Sequence, residues 1–417
     1  MIALWLTAAA FADCTVIANG TAHLPDRVLQ NAVVVIDGPT IAYAGGATAD
    51  VAVSVGKATY KGRTCALVDA RDREVTAGLV EASSQIGLVE ISQESATTND
   101  DPGGGDAVRA ALRVSDAYDP RSVVIPVTRT GGITSTVVSP TGGLVSGQAA
   151  WVDLRGASQS EAIARPFVAM VAGLGSTSSK AEDLLRLREL LERARLYAKN
   201  GAAWTNDLKE IDQTSLLDLA AMGAVVRGEV PLVVYADRAS DIEATLRLAD
   251  EERIRVVIRG GAEAWVVADL LAKARVPVLI DPLVYGQGSF DQRYGREDNG
   301  ALLAKAGVSV VISTGQTHNA RTLRQSAGNA VRGGMDHEDA LRSITRTPAL
   351  AFGMTDRGAL VGGGMADVVV WTGDPLELST RAEAVWIQGE QQSLETRQTA
   401  LLKKYRTLPG TPVPPLR

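Results

Sequence analysis

Histidine and cysteine are scarce in this chain of 417 residues: three histidines, His23, His318 and His337, and two cysteines, Cys14 and Cys65. A zinc site with three or four thiolates cannot be assembled from them, nor an iron-sulfur cluster that needs four. A site of two thiolates and two imidazoles stays formally open, but Cys14 and Cys65 lie far apart and lack zinc-finger spacing. Any site requiring four histidines is excluded. An excess of positive charge is lacking too: 42 Lys and Arg against 48 Asp and Glu leave a formal charge of -6 and no basic stripe. Nucleic acid and anionic membrane surfaces are therefore not expected partners. No membrane span is expected either, since the apolar run at residues 2–10 falls far short of the ~20 residues a spanning helix needs.

What is present points to a folded globular chain. Apolar residues make up 46% and charged residues 22%, enough for a large core with a solvated surface. Glycine, at 41 of 417, exceeds the typical ~7% and suits many tight turns between strands and helices. The apolar run at 2–10 is followed by Ala10-Phe11-Ala12, a small-x-small pattern before Asp13. Residues 1–12 therefore read as a signal peptide, which places the protein in the periplasm or outside the cell. The run has no Lys or Arg before it, so a buried first strand in a cytoplasmic protein is the alternative. Export would give Cys14 and Cys65 an oxidising compartment in which to pair; two unpaired small hydrophobes are the other option.

The hydrophobic period divides the chain. Segments 15–18, 32–36, 40–44 and 66–68 are β-rich and separated by turn signals at Asn19-Gly20 and Asp37-Gly38-Pro39. From 76 onward apolar strands recur at 79–81, 133–138, 167–171, 232–235, 256–258, 278–280 and 308–312. Between most of them lie helical patterns, among them 181–197, 241–251, 262–274 and 299–306. Alternating βα units predict a parallel sheet covered on both faces, and seven strands are one short of a (β/α)8 barrel. The missing fourth strand is expected between Gly173 and Glu229, where the pattern shows two helices; the barrel is either distorted there or hides a strand. After 355 the pattern returns to turn and strand. The predicted class is α/β: a TIM-like barrel over 76–354, and a small β-sandwich built from both chain ends, 13–75 and 355–395. A C-terminal tail follows at 396–417, whose last part, with four prolines after 408, is expected to be extended and mobile.

Several motifs then line up in order. They are Asn19-Gly20 opening a strand, Ala77-Gly78-Leu79-Val80-Glu81-Ala82, Ser139-Pro140-Thr141-Gly142-Gly143 with Ser146-Gly147-Gln148, and Thr347-Pro348-Ala349. Late in the chain come Gly358-Ala-Leu, Ala366-Asp367 and Gly373-Asp374-Pro375. Over almost its whole length the chain resembles the amidohydrolase superfamily, most closely its imidazolonepropionase-like branch. That resemblance implies hydrolysis of amide or related C–N bonds by zinc or another divalent metal. It also implies the ligands: His-x-His ending the first barrel strand, single histidines ending the fifth and sixth, an aspartate on the eighth, and often a lysine or glutamate on the fourth. There the metal lowers the pKa of a bound water and the aspartate handles the proton.

The sequence departs from the family at each of these positions. The His-x-His place holds Ser83-Ser84-Gln85, the fifth strand runs into Tyr235-Ala236-Asp237-Arg238 and the sixth into Arg259-Gly260-Gly261. The eighth ends in Ile312-Ser313-Thr314-Gly315, with glycine where the aspartate belongs, and no fourth-strand lysine can be placed. No bound metal or other cofactor is therefore expected. Of the three histidines, His23 belongs to the β domain, His337 opens a helix in a capping or surface role, and His318 alone follows a barrel strand and is expected to face the pocket. The pocket candidates are Ser83, Ser84, Gln85, Tyr235, Asp237, Arg259, Asp281, Gln316 and His318. Arg259 is expected to occupy the place of the lost cations, with Asp237, Asp281 or both as counter-ions, because an unpaired charge in a partly buried mouth is costly. Ser83 and Ser84 have no evident base beside them and read as hydrogen-bonding residues. The stretch 90–105 reads as a long loop over the mouth with solvated acids. Gly142, Gly143 and Gly147 read as turn glycines, or as backbone that lets an anion approach.

Two functions remain open on these residues. One is a non-catalytic scaffold, a pseudoenzyme that binds a small-molecule ligand or a related amidohydrolase subunit, or that assembles with itself. The other is a hydrolase of non-peptide or dipeptide C–N bonds with an atypical site, such as a metal on Asp237, Asp281 and His318.

Overall fold

A computed structural model describes residues 14–99, 107–175, 179–201, 214–284 and 288–406. The expected signal peptide, part of the loop at 90–105 and the proline-rich stretch after 408 lie outside the described residues, wholly or in part. The first strands are β1 (Cys14–His23), β2 (Val28–Asp37), β3 (Thr40–Gly45), β4 (Val51–Ser54), β5 (Lys57–Tyr60), β6 (Arg63–Asp69) and β7 (Glu74–Ala77). β1 to β3 form an antiparallel meander whose second turn uses Gly38 at φ +56. β1 also pairs in parallel with β6 and β7. The β4–β5 hairpin was not foreseen: it is short, and only Ala58 and Tyr60 of it are buried, so it carries little apolar alternation. Cys14 and Cys65 pair as a disulfide between β1 and β6, with Cα atoms 4.9 Å apart, settling the question the sequence left open. His23 bonds Glu74 on the neighbouring β7.

The barrel strands are β8 (Leu79–Ser84), β9 (Ile133–Val138), β10 (Val145–Asp153), β11 (Ile163–Gly173), β12 (Leu232–Ala236), β13 (Val256–Gly260), β14 (Val278–Ile280) and β15 (Val310–Ile312). They form one eight-stranded sheet in sequence order, so the TIM-like barrel predicted from the βα rhythm is present. The extra strand is not between Gly173 and Glu229. It is β10, which runs antiparallel to both β9 and β11, and the fourth strand in order is β11. β10 escapes sequence detection because it is buried on both faces, rich in Gly, Ala and Ser, and broken by Gly147 at φ +133. A Cβ on Gly147 would lie 2.7 Å from the Leu112 carbonyl, so only glycine fits there. Between 173 and 229 the described residues hold two helices, Lys180–Asn200 and Leu216–Val226. The first starts at Ser179, whose hydroxyl caps Glu182 N, and buries Leu187, Leu191 and Ala194 at the expected spacing.

Side chains alternate along each strand with a period of two, so a buried layer predicts what stands above it. Val233, Val257, Leu279 and Val311 belong to one buried cluster of the barrel. Two residues further on the same strands come Tyr235, Arg259, Asp281 and Ser313, at the C-terminal mouth where this fold builds its sites. Near β10's end, Asp153 is fully buried and pairs with Arg357 at 2.9 Å, while Ser135 and Trp151 donate to the same oxygen.

The last strands, β16 (Val368–Trp371), β17 (Ala382–Ile387) and β18 (Glu390–Gln391), return to the first sheet, where β16 pairs antiparallel with β7. The two chain ends thus share one ten-stranded sheet, the composite β domain expected. One compact unit holds the chain up to Gly78 with Ala359–Pro375 and Thr380–Gln392; the other holds Leu79–Gly358, Leu376–Ser379 and the chain from Ser393. The tail begins as a helix, Arg397–Tyr405. The disulfide closes a loop with a sequence separation of 51, which restricts the denatured chain by about 4 kcal/mol. Urea denaturation of Cys14→Ala/Cys65→Ala is expected to show the β unit unfolding that much more easily than wild type without reductant; coincident midpoints would show that the bridge contributes nothing.

Candidate functional site

β12 and β13 pair in parallel, which sets Tyr235 beside Arg259. The Tyr235 hydroxyl donates to Asp237 Oδ2 at 2.8 Å. Asp237 also accepts from Gln292 Nε2 at 2.9 Å and from Ala262 N at 3.2 Å. Gly260, at φ +99, makes this possible, since a Cβ there would lie 2.6 Å from Asp237 Oδ1. Asp237 is thus held by three neutral donors and is not a counter-ion of Arg259. Burial first, and the Asp237 charge second, push the Tyr235 pKa up to about 12, so the phenol stays a donor at physiological pH.

The charge beside Arg259 is Glu81, from the first barrel strand. Burial lowers the pKa of the guanidinium, and electrostatic interaction first with Glu81 and then with Tyr235 opposes that. Glu81 is itself fully buried. Oε1 accepts from Ser83 N at 3.1 Å and from the Ser313 hydroxyl, while Oε2 accepts from Thr314 N at 3.0 Å and Thr314 Oγ1 at 2.7 Å. Burial raises the Glu81 pKa, and these four hydrogen bonds pull the other way. Sequence reasoning passed Glu81 over as a site residue. The available signal was a lone carboxylate inside an apolar and small-residue strand, where an acid is almost never buried without partners.

The remaining candidates separate. Ser83 is buried and its Oγ has no hydrogen-bond partner among the described residues. Ser84 turns to the neighbouring strand and bonds Thr136 Oγ1 at 2.8 Å. The Gln85 carbonyl accepts from Leu88 N and Val89 N in the turn after β8. Asp281 takes Leu283 N at 3.0 Å, and burial raises its pKa. Gln316 is exposed, its N–H bonding Thr314 Oγ1. His318, expected to face the pocket, is exposed instead and bonds the Glu90 carbonyl at 2.8 Å. The Glu90 carboxylate, expected to be solvated, accepts from Val123 N at 2.8 Å and from the Ser122 hydroxyl. Arg109 donates to the Thr141 and Gly142 carbonyls, which makes that glycine stretch a braced turn. His337 begins its helix, but the cap is Asp336, which accepts from Glu338 N and Asp339 N.

A divalent metal does not fit these strand ends. They present hydroxyls, an amide, a phenol and a guanidinium; the carboxyls of Glu81 and Asp237 are held by hydrogen bonds within the chain, and the guanidinium repels a dication. Among the described residues no three His, Cys, Asp or Glu side chains are gathered where they could hold a metal ion, the trio Asp237, Asp281 and His318 included. β11, now placed as the fourth strand, ends in Ala172-Gly173-Leu174 without a lysine. A cleft of about 700 Å³ lies at the opposite end of the barrel, among the starts of β13 to β15. That end serves stability in this fold rather than chemistry.

An eight-stranded barrel with a composite β domain is the architecture of the amidohydrolase fold. The model of the Amidohydrolase family matches residues 26–392, and the chain belongs to that family. The amidohydrolase tasK of Hapsidospora irregularis is 24% identical over 367 residues, which is 78% of this chain and 37% of that protein. The chain therefore spans little more than a third of that relative's length. Among solved structures, an amidohydrolase from Thermotoga maritima matches with a TM-score of 0.79 at 24% identity, over 91% of this chain and 99% of the other. A Xaa-Pro dipeptidase with bound methionine in its active site matches at 0.55 and 15% identity, over 91% of this chain and 100% of the other. At these identities the structural likeness shows the fold.

Each Glu81 oxygen faces one backbone N–H, so no orientation of an amide satisfies both. Glu81→Gln is expected to cost about 1–3 kcal/mol in urea denaturation. Because the folded pKa of Glu81 is raised, its contribution is fully present below about pH 4.5 and is lost as pH rises through the folded value. The gap between wild type and variant should therefore narrow with rising pH, and a widening gap would contradict this assignment. At Tyr235, the ultraviolet difference between wild type and Tyr235→Phe should show no phenolate near pH 10, the ordinary tyrosine midpoint.

Proposed function

We propose that this member of the amidohydrolase family is non-catalytic and that its barrel mouth binds a small-molecule ligand. The observation that carries the proposal is Arg259. A fixed cation, paired electrostatically with Glu81, stands at the strand end where the family resemblance implies a metal-ligating histidine. A guanidinium has no lone pair to ligate a metal and cannot take up a proton from water, so the two tasks of a metal-hydrolase site have no agent there. A mouth lined with hydrogen-bonding groups on a rigid barrel is suited to holding a ligand.

A partner role alongside this is favoured by a second observation. After β14, Phe290 and Tyr294 are exposed and Arg293 stacks on both rings, at 4.9 and 4.6 Å from their centroids. Exposed arginine with aromatics is the composition of protein interfaces, which suits association with a related amidohydrolase subunit or with a second copy. The disulfide supports residence in an oxidising compartment, the periplasm or outside the cell.

Elemental analysis of protein purified without chelator, run beside a turnover screen on cyclic amides and N-acyl amino acids, tests the main proposal. The expected result is substoichiometric metal and no turnover. Stoichiometric zinc or manganese with turnover abolished by Asp237→Ala would overturn it in favour of an active hydrolase with an atypical site.

A further inference from the structure

Arg259 has charge neighbours but no hydrogen-bond acceptor among the described residues. Its neighbours are Glu81 and Tyr235, yet every acceptor position of Glu81 is taken by Ser83 N, Ser313 and Thr314. Arg259 is partly buried, and no hydrogen bond among the described residues uses any of its five N–H groups. Donors withdrawn from bulk water without a partner are costly, so they are built to meet an acceptor that arrives from outside.

The space for such an acceptor is visible at Gly315. A Cβ built there would have one neighbour among the described residues within 4 Å, Arg259 Nη2 at 3.9 Å. Gly315 is the position at which the family resemblance implies an aspartate, and it is exposed at the mouth. The carboxylate that the family resemblance implies is thus absent at the spot that the Arg259 guanidinium faces.

Resting on the reading of the mouth as a ligand site, we propose that the ligand is a monocarboxylate whose carboxylate fills the space beside Gly315 and accepts hydrogen bonds from Arg259. A planar guanidinium fork matches a carboxylate in two parallel hydrogen bonds. Two further features define the class. Glu81 already brings a carboxyl to the guanidinium, so a monoanion is tolerated better than a doubly charged phosphate. Tyr235, Arg259's partner across the β12–β13 ladder, is 43% exposed and offers a ring face to an apolar or aromatic body. The ligand class is accordingly a small carboxylic acid with an apolar body, such as an aryl acid or an N-acylated hydrophobic amino acid.

Calorimetric titration of the full chain with benzoate and N-acetyl-L-phenylalanine tests this, with benzamide, N-acetyl-L-phenylalaninamide and inorganic phosphate as controls. The carboxylates are expected to bind and the neutral amides to bind at least about tenfold more weakly, the ratio that loss of a charge-assisted hydrogen bond produces. Arg259→Gln should remove the preference. Gly315→Asp should do so as well, by supplying the carboxylate from within the chain. Aspartate tolerates the +61° φ at this position. Circular dichroism of each variant separates a lost site from a lost fold, and because Gly315→Asp acts without removing Arg259 the two variants check one another. Binding of phosphate in preference to the carboxylates, absence of carboxylate binding by wild type, or carboxylate binding unchanged in both Arg259→Gln and Gly315→Asp would each overturn the proposal. Metal content measured on the same preparation keeps the two ideas apart: a metal-free protein that ignores carboxylates defeats this inference alone, and a metal-loaded, active one defeats the function proposed above.

Discussion

The barrel closes through a side chain rather than a ladder. β8 and β15 are the two ends of the eight-stranded sheet, and no backbone pairing joins them among the described residues. An open seam leaves edge N–H groups exposed to the interior, where each needs a partner. Glu81 supplies partners across that seam: one oxygen takes Ser83 N on its own strand, the other takes Thr314 N just past β15, and the two hydroxyls at 313 and 314 complete the set. Nearby, Val80 N finds the Ile344 carbonyl at 2.8 Å. The carboxyl group does the work of two rungs of sheet, and a titratable charge, pushed toward its neutral form by burial, is thereby placed inside the barrel.

That charge governs what else the mouth can hold. A buried carboxyl stabilises a cation close by, and Arg259 comes from the sixth strand to that place. Asp237, the other acid within the strand ends, is spent on its own fold: Tyr235, Gln292 and Ala262 satisfy it, and Gly260 clears the space it needs. Arg259 is left as the one mouth cation whose hydrogen bonds the described residues do not use. On the function proposed above, the same arrangement disfavours a dication and invites an anion, so that structural closure and ligand preference would both follow from one carboxyl group.

The legible parts of the fold were those with strong local periodicity. Val233, Val257, Leu279 and Val311 sit in apolar runs flanked by helical patterns, and their strands formed where the pattern put them. β10 stayed hidden because a strand buried on both faces needs no alternation, and small residues with a glycine bulge carry little β signal. At the site, Ser83, Arg259 and Gly315 were singled out by chain order together with the family resemblance. The partnership of Arg259 was misjudged: Asp237 is 22 residues away in sequence and Glu81 is 178, and sequence proximity favoured the wrong acid. His318 was misplaced for a related reason, since following a strand does not decide which way a loop turns its side chains.

By itself the sequence determined composition-level and periodic properties: too few histidines for a four-histidine site and too few thiols for a three-thiolate one, a barrel from the βα rhythm, and a second domain drawn from both ends. These depend on residue identity and short-range spacing, which the linear chain records. Tertiary structure alone decided that the two cysteines meet, that β10 runs antiparallel, and that Glu81 rather than Asp237 faces Arg259. The first and last are contacts between segments far apart in the chain, which no local pattern encodes, and the second is a neighbouring pairing whose strand carries no alternation because both its faces are buried.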